Sequence, residues 1–460
     1  MDERLDAMLR DAREGLARSK APAAEAFVHA SDRGFARFSR GELDQHVELE
    51  ERRAVVRVAH TVGGRSQIAS VTTSDISASG IARAATRASE MAKVTPVTEG
   101  WPGFATRDEP APASRSSIAA TMRSAEERAG AVGRILATCR ERSLAAAGAF
   151  ESSEHRTALV NTLGLERAQR TPFATCKVFA LDAGGSSGFA QQTRRSAADI
   201  DVDAIASRAV DKCMAGRDPV ALPPGEYDVV LEPSAVVELL EWLAFTTFGA
   251  REVADGTSAF AGRIGERVTG SNVTLRDEGA GDRSFSSAFD REGTARSSLV
   301  LIDRGVATSV AYDRLYAARE GRASTGNAAP PSSWDDAPIA QSLVMDGGSD
   351  TLESLVSKVD RGLWITRFHY VNGFLDPRRT LMTGLTRDGT FVIDRGARGR
   401  GVRNMRFTDS VFEALSRCEG LSSLIEAVPT WWSDGGAFYA PAVLLRGLRF
   451  SGGGVEPPPA

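Results

Sequence analysis

One pattern occurs twice in the first half of the chain, and it restricts the fold more than any other feature. Residues 57–92, "RVAHTVGGRSQIASVTTSDISASGIARAATRASEMA", read as strand, Gly-Gly turn, strand, polar cap and helix. Residues 171–216, "TPFATCKVFALDAGGSSGFAQQTRRSAADIDVDAIASRAVDKCMAG", repeat that order. The offset is about 120 residues, too long for a solenoid repeat. It predicts an internal duplication, although two unrelated β–β–α units of similar order would give the same string. Each copy has a helical pattern upstream, at about residues 2–19 and about 117–145.

A boundary is expected at "ALPPGEYDVVLEP", residues 221–233, where two prolines and a glycine precede a short apolar strand. Beyond it the chain is Gly-rich, with short strands separated by "RDG" and "DRG" hairpin turns. Two helices are expected there, at about 234–248 and 409–417. The fold class is therefore α+β. A duplicated β–α region over 1–220 is followed by a β-rich domain with few helices over 221–453, and 454–460 form a loose tail.

The formal net charge is -4, so no basic footprint points to nucleic acid. No apolar run approaches the roughly 20 residues that span a bilayer. The N-terminus is charged and lacks a signal-type apolar stretch. A soluble cytoplasmic protein is expected, and the Arg, Ala and Gly usage suggests a bacterial source. Cys139, Cys176, Cys213 and Cys418 lie far apart, and the histidines never fall three or four residues from one another. A local metal motif is thus absent, leaving open only a site gathered from remote residues.

Four stretches of the second half, taken in order, resemble the TldD/PmbA (TldD/TldE) family of peptidase subunits. They are "DGTSAFAGRIGERV", "SAFDREGTARSSLVLIDRGV", "ASTGNA" and "TLMTGLTRDGTFVIDRGARGRGVRNMRF". The resemblance covers about residues 223–453, and the first half resembles the family's duplicated β–α region more weakly. It implies a zinc peptidase motif, HExxxH, on the helix that here reads "LLEWLAFT". The motif positions are occupied by Glu241, Trp242 and Thr246. The family's third ligand, a late loop cysteine, has no counterpart in "WWSDGGAFYAPAV", and Cys418 lies upstream of that loop. No metal ligand and no catalytic residue are therefore assigned to this chain. The resemblance points to the metal-free TldE/PmbA-like subunit, with zinc expected in a TldD-like HExxxH partner.

Other residues are candidates for a substrate channel or a subunit interface. Asp290, Glu292 and Gly293 form "FDREG", which reads first as a turn with Asp290 accepting backbone N–H bonds and Gly293 at positive φ. Thr325, Gly326 and Asn327 form "STGN", a close-approach segment or a plain turn. Arg367 and His369 alternate with apolar residues on a strand, and a lone histidine there reads first as structural. Trp431 and Trp432 are candidate interface anchors, although one of them reads more simply as core.

The expected function is a non-catalytic subunit of a heterodimeric peptidase acting on unfolded or modified peptides, without membrane or nucleic-acid partners, and homodimeric or poorly soluble when alone. Two other classes compete with it. One is a metal-independent tailoring enzyme of peptide natural products; the other is a homodimeric peptide-binding scaffold.

Overall fold

The computed structural model describes residues 2–112, 122–279, 281–330, 336–432 and 435–453. The expected tail lies outside the described residues. The first half contains α1 (Glu3–Ser19), β1 (Ala24–Ser39), β2 (Glu42–Val62), β3 (Arg65–Thr73), α2 (Ala78–Ala92) and β4 (Val97–Thr98). Then follow α3 (Ala125–Arg140), β5 (Ala145–Asn161), β6 (Glu166–Leu181), β7 (Ser187–Arg194) and α4 (Val202–Ala215). Helix, three strands and helix thus occur twice.

Among the described residues these strands form one seven-stranded antiparallel sheet, in the order β4-β3-β2-β1-β5-β6-β7. The first strands of the two units, β1 and β5, pair at its centre, from Glu25 opposite Asn161 to Phe38 opposite Gly148. The helices of each unit cover a core of their own, to which the central strands β1 and β5 of both units contribute. Leu16 and Ile81 of α1 and α2 pack on Val28 and Val56. Ile135 and Ile205 of α3 and α4 pack on Phe150 and Val178. The apolar periodicity of each helix accounts for this burial.

The second half contains β8 (Gly225–Leu231), α5 (Pro233–Thr246), α6 (Ala250–Ala254), β9 (Leu275–Glu278), β10 (Ser298–Asp303), β11 (Val306–Ala307), α7 (Arg314–Arg319), β12 (Leu343–Met345) and α8 (Leu352–Ser357). It ends with β13 (Arg361–Asp376), β14 (Leu381–Asp394), β15 (Ala397–Gly401), β16 (Met405–Ser410), α9 (Val411–Ser416), β17 (Cys418–Pro429) and β18 (Ala437–Gly453). The sheet is mixed. β8 pairs with β13 in parallel and with β18 antiparallel, so the path β8-β13-β14-β16-β18 closes on itself. α5 fills the side of this ring, and Val237, Leu240 and Leu243 are fully buried with Leu363 and Val443.

Three helical expectations change. The described part of the helix expected at 117–145 is Ala125–Arg140, started by a Ser124/Glu127 capping box. Residues 113–121 lie outside the described residues. The Ala-rich run after it is strand, because Ser143 takes positive φ (56°) and Ala146 and Phe150 turn into the core. The last helix begins at Val411, since Ser410 is its N-cap and accepts the Glu413 N–H. The short helices α6, α7 and α8 add to the two expected. In α7 and α8, Asp313 and Thr351 cap a single turn too short to show periodicity.

Candidate functional site

α5 starts with Pro233 at its first turn and is apolar on most of its surface. Two acids interrupt that surface, Glu238 and Glu241, three residues apart and so on one face. They open onto a cavity of about 340 Å³ between α5 and the first sheet. β6 and β7 contribute Lys177, Phe179, Phe189 and Gln191. β13 contributes Arg367, His369 and Tyr370, and Trp242 and Trp431 complete the wall. The structure therefore gathers five of the sequence candidates, Glu241, Trp242, Arg367, His369 and Trp431.

Burial dominates the electrostatics. Glu241 is 3 % exposed, and desolvation holds its carboxyl well above the usual range, opposed by the Trp431 backbone N–H that its Oε1 accepts at 2.8 Å. Glu238 is pushed up to about 8 by burial, against the pull of Arg367 at 3.3 Å. Lys177 is lowered by desolvation, with Glu241 opposing. His369 is lowered by burial and by the Arg367 charge. Arg367 is itself held by Asp388 at 2.9 Å and lies over the rings of Phe179 and Phe189.

The raised Glu238 has a stability consequence. Its folded pKa exceeds its ordinary 4.5, so its contribution is complete below pH 4.5 and is lost as pH rises through about 8. Glu238→Gln is expected to remove that loss. Thermal midpoints of variant and parent should coincide near pH 4.5 and diverge in favour of the variant up to pH 8. A constant difference across that range would contradict the assignment.

Thr246 does not join this cavity. Five residues along a helix turn the side chain by about 140°. Thr246 lines a different pocket with Phe245 and Arg251, and its hydroxyl donates to the Trp242 carbonyl at 2.8 Å. The zinc that the resemblance implies does not fit here. The Glu241 carboxyl favours its neutral form and holds a backbone N–H, Trp242 packs against Phe374 and Trp431, and Thr246 points elsewhere. Among the described residues no group of three His, Cys, Asp or Glu side chains is placed to hold a metal.

Asp290, Glu292, Gly293, Thr325, Gly326 and Asn327 belong to a hydrogen-bonded network that is buried except at the half-buried Thr325. Asp290 accepts the N–H groups of Glu292, Thr294 and Ala328 at 2.9–3.0 Å. Burial and Glu292 push it up to about 7. Gly293 has φ +76°, as the turn reading requires, and a Cβ there would meet Leu165 at 2.6 Å. Glu292 accepts from the Arg314 N–H and from Arg57 of the first sheet. Thr325 donates to the Asn327 side chain, and Gly326 has φ +74°. Asn327 donates to Asp277 at 2.6 Å and to the Ile339 carbonyl at 3.0 Å. Trp432 packs against the main core, while Trp431 is 55 % exposed at the cavity rim.

Sequence reasoning missed Lys177, Glu238, Asp277 and Arg296. Glu238 had a signal, an acid three residues before Glu241 in an apolar helix. Lys177 sits on β6, and only the sheet topology brings it to α5.

Residues 224–452 match the family model described as the PmbA/TldA metallopeptidase C-terminal domain, and residues 108–216 match the PmbA/TldA metallopeptidase central domain. The chain belongs to the TldD/PmbA family. The fold is similar to that of TldE from Thermococcus kodakarensis, with a TM-score of 0.84, 19% identity, and 97% of this chain and 99% of that chain covered. An uncharacterised protein of Methanocaldococcus jannaschii is 32% identical over 37% of this chain and 40% of its own length. A Haemophilus influenzae metalloprotease TldD homologue is 25% identical over 48% of this chain and 45% of its own. The matched stretch thus spans less than half of either relative. No described helix is long and apolar enough to cross a membrane.

Proposed function

We propose that this TldD/PmbA-family chain is the metal-free, non-catalytic subunit of a heterodimeric zinc metallopeptidase that acts in the cytoplasm on unfolded or modified peptides. The observation that carries the reading is the state of the metal-motif positions. Glu241 is buried and bonded to the Trp431 backbone, Trp242 fills the place of the motif glutamate, and Thr246 faces another pocket. The partner, a TldD-like HExxxH subunit, supplies zinc and the water-activating carboxylate. This chain supplies one wall of the peptide chamber.

The test is co-expression with such a partner. Peptidase turnover should require both chains and vanish when the partner's motif glutamate is changed. It should survive His369→Ala here, because this subunit transfers no proton. Loss of turnover in His369→Ala, with the complex assembled and its zinc bound, would give this chain a chemical role.

One observation favours a second reading, a metal-independent enzyme: two acids with raised pKa share a cavity with a lysine of lowered pKa, as active sites often arrange. Peptide turnover by the purified chain alone would select it.

A further inference from the structure

A passive wall does not account for the polar groups of the cavity on α5. Glu238 gives one oxygen to Arg367, while its Oε2 is buried with no hydrogen-bond partner among the described residues. Glu241, one turn further along, uses Oε1 for the Trp431 N–H. Lys177 enters from the opposite wall, and among the described residues its ammonium makes no hydrogen bond or ion pair. Buried polar groups are normally satisfied, so these atoms can pair with a ligand that enters the cavity. The sides between these groups are aromatic: Phe179, Phe189, Trp242 and Trp431. The volume, about 340 Å³, lies in the range of small-ligand sites.

We propose that this cavity binds the free amino end of a peptide, with the ammonium donating to Glu238 Oε2 and the Glu241 carboxyl, the first peptide carbonyl accepting from Lys177, and the first side chain lying among the aromatic rings. The proposal rests on the reading above that the chain receives peptides, and it names which part of the peptide is held. An ammonium carries three donors and needs several acceptors, which the two acids offer side by side. A carbonyl one residue along needs a donor, which Lys177 offers. A lysine side chain would bring the ammonium without a nearby carbonyl and leave Lys177 unused. A C-terminal carboxylate would pair with Lys177 but use neither Glu238 nor Glu241 as an acceptor, whereas an ammonium uses both. Burial raises the two acids and lowers the lysine, so an opposite charge brought beside them would favour their ionised forms.

The experiment uses a tripeptide amide with phenylalanine first, its N-acetylated form, and an N-acetylated tripeptide amide containing one lysine. Affinity is read by titration calorimetry on the purified chain and on its complex with the partner. The free-amine peptide should bind about tenfold or more tightly than either acetylated probe, the expected size for a charge-assisted bond. Glu238→Gln and Lys177→Met should each reduce that preference, with circular dichroism unchanged. Acetylation acts on the parent protein, so the test stands even if a variant folds poorly. Equal affinity for free and acetylated forms, equal affinity for the acetylated lysine probe, or no binding of any probe would each overturn the proposal. None of these results bears on the subunit reading, which partner-dependent turnover decides separately.

Discussion

Replacing Asp277 by alanine should destabilise the protein by about 3–5 kcal/mol, the cost of removing one partner from a buried ion pair. Asp277 on β9 is fully buried. It accepts from Arg296 at 2.7 Å, from the Asn327 side chain at 2.6 Å and from the Ser342 N–H at 2.6 Å. The Arg296 side chain is also fully buried, and its Nε and Nη1 have no partner among the described residues. Without Asp277 a guanidinium charge would remain in the interior with no compensation. Denaturant unfolding should show the midpoint fall by an amount matching that range. A loss below about 1 kcal/mol, the scale of an exposed pair, would show that water or another group already carries the Arg296 charge.

Arg57→Met should have a comparable effect, with a pH dependence that identifies its cause. Arg57 on β2 bonds Glu25 at 2.6 Å and Glu292 at 3.3 Å, tying the first sheet to the segment that follows β9. Burial works against the Arg57 charge, and the two carboxylates outweigh it and raise its pKa. Burial likewise raises Glu25, against the pull of Arg57. Removing the guanidinium leaves two buried carboxyls facing each other, a loss of about 3–5 kcal/mol near pH 7. Glu25, already raised in the fold, should rise further without Arg57. Stability tied to a raised carboxyl is complete at low pH and is lost as pH rises, so the variant should recover toward pH 5. Adding Glu25→Gln and Glu292→Gln should restore much of the loss at neutral pH. A deficit that stays the same between pH 5 and 8 would point to lost packing over Phe104 instead, where the guanidinium lies 5.4 Å from the ring centroid.

Local chemistry was legible in the sequence, and long-range closure was not. The Gly-Gly turns at Gly63–Gly64 and Gly184–Gly185 marked both hairpins, and the positive φ of Gly293 followed from its turn. The apolar spacing of α5 placed that helix within two residues of its observed end. β2 was only half visible. Residues 42–52 are exposed and mostly polar, so no buried face imposes an apolar alternation there, and backbone pairing with β1 carries the strand instead. The ring closed by β8 and β18 joins residues from opposite ends of the second half, which no local pattern reports.

The candidate site divides along the same line. Glu241 and Trp242 were found because a motif fixes their spacing, whereas Lys177 reaches Glu241 only through the fold. Asp290 and Asn327 were visible as motif residues. Their structural use depends on Asp277, Ala328 and Ile339, which the motif spacing does not name.

The central claim is that this subunit holds no metal while its partner does, and metal analysis tests it most directly. The chain purified alone should carry no stoichiometric zinc, and its one-to-one complex with an HExxxH partner should carry one zinc, lost when the partner's motif histidines are changed. Close to one zinc per chain in the isolated protein, retained through gel filtration, would contradict the account.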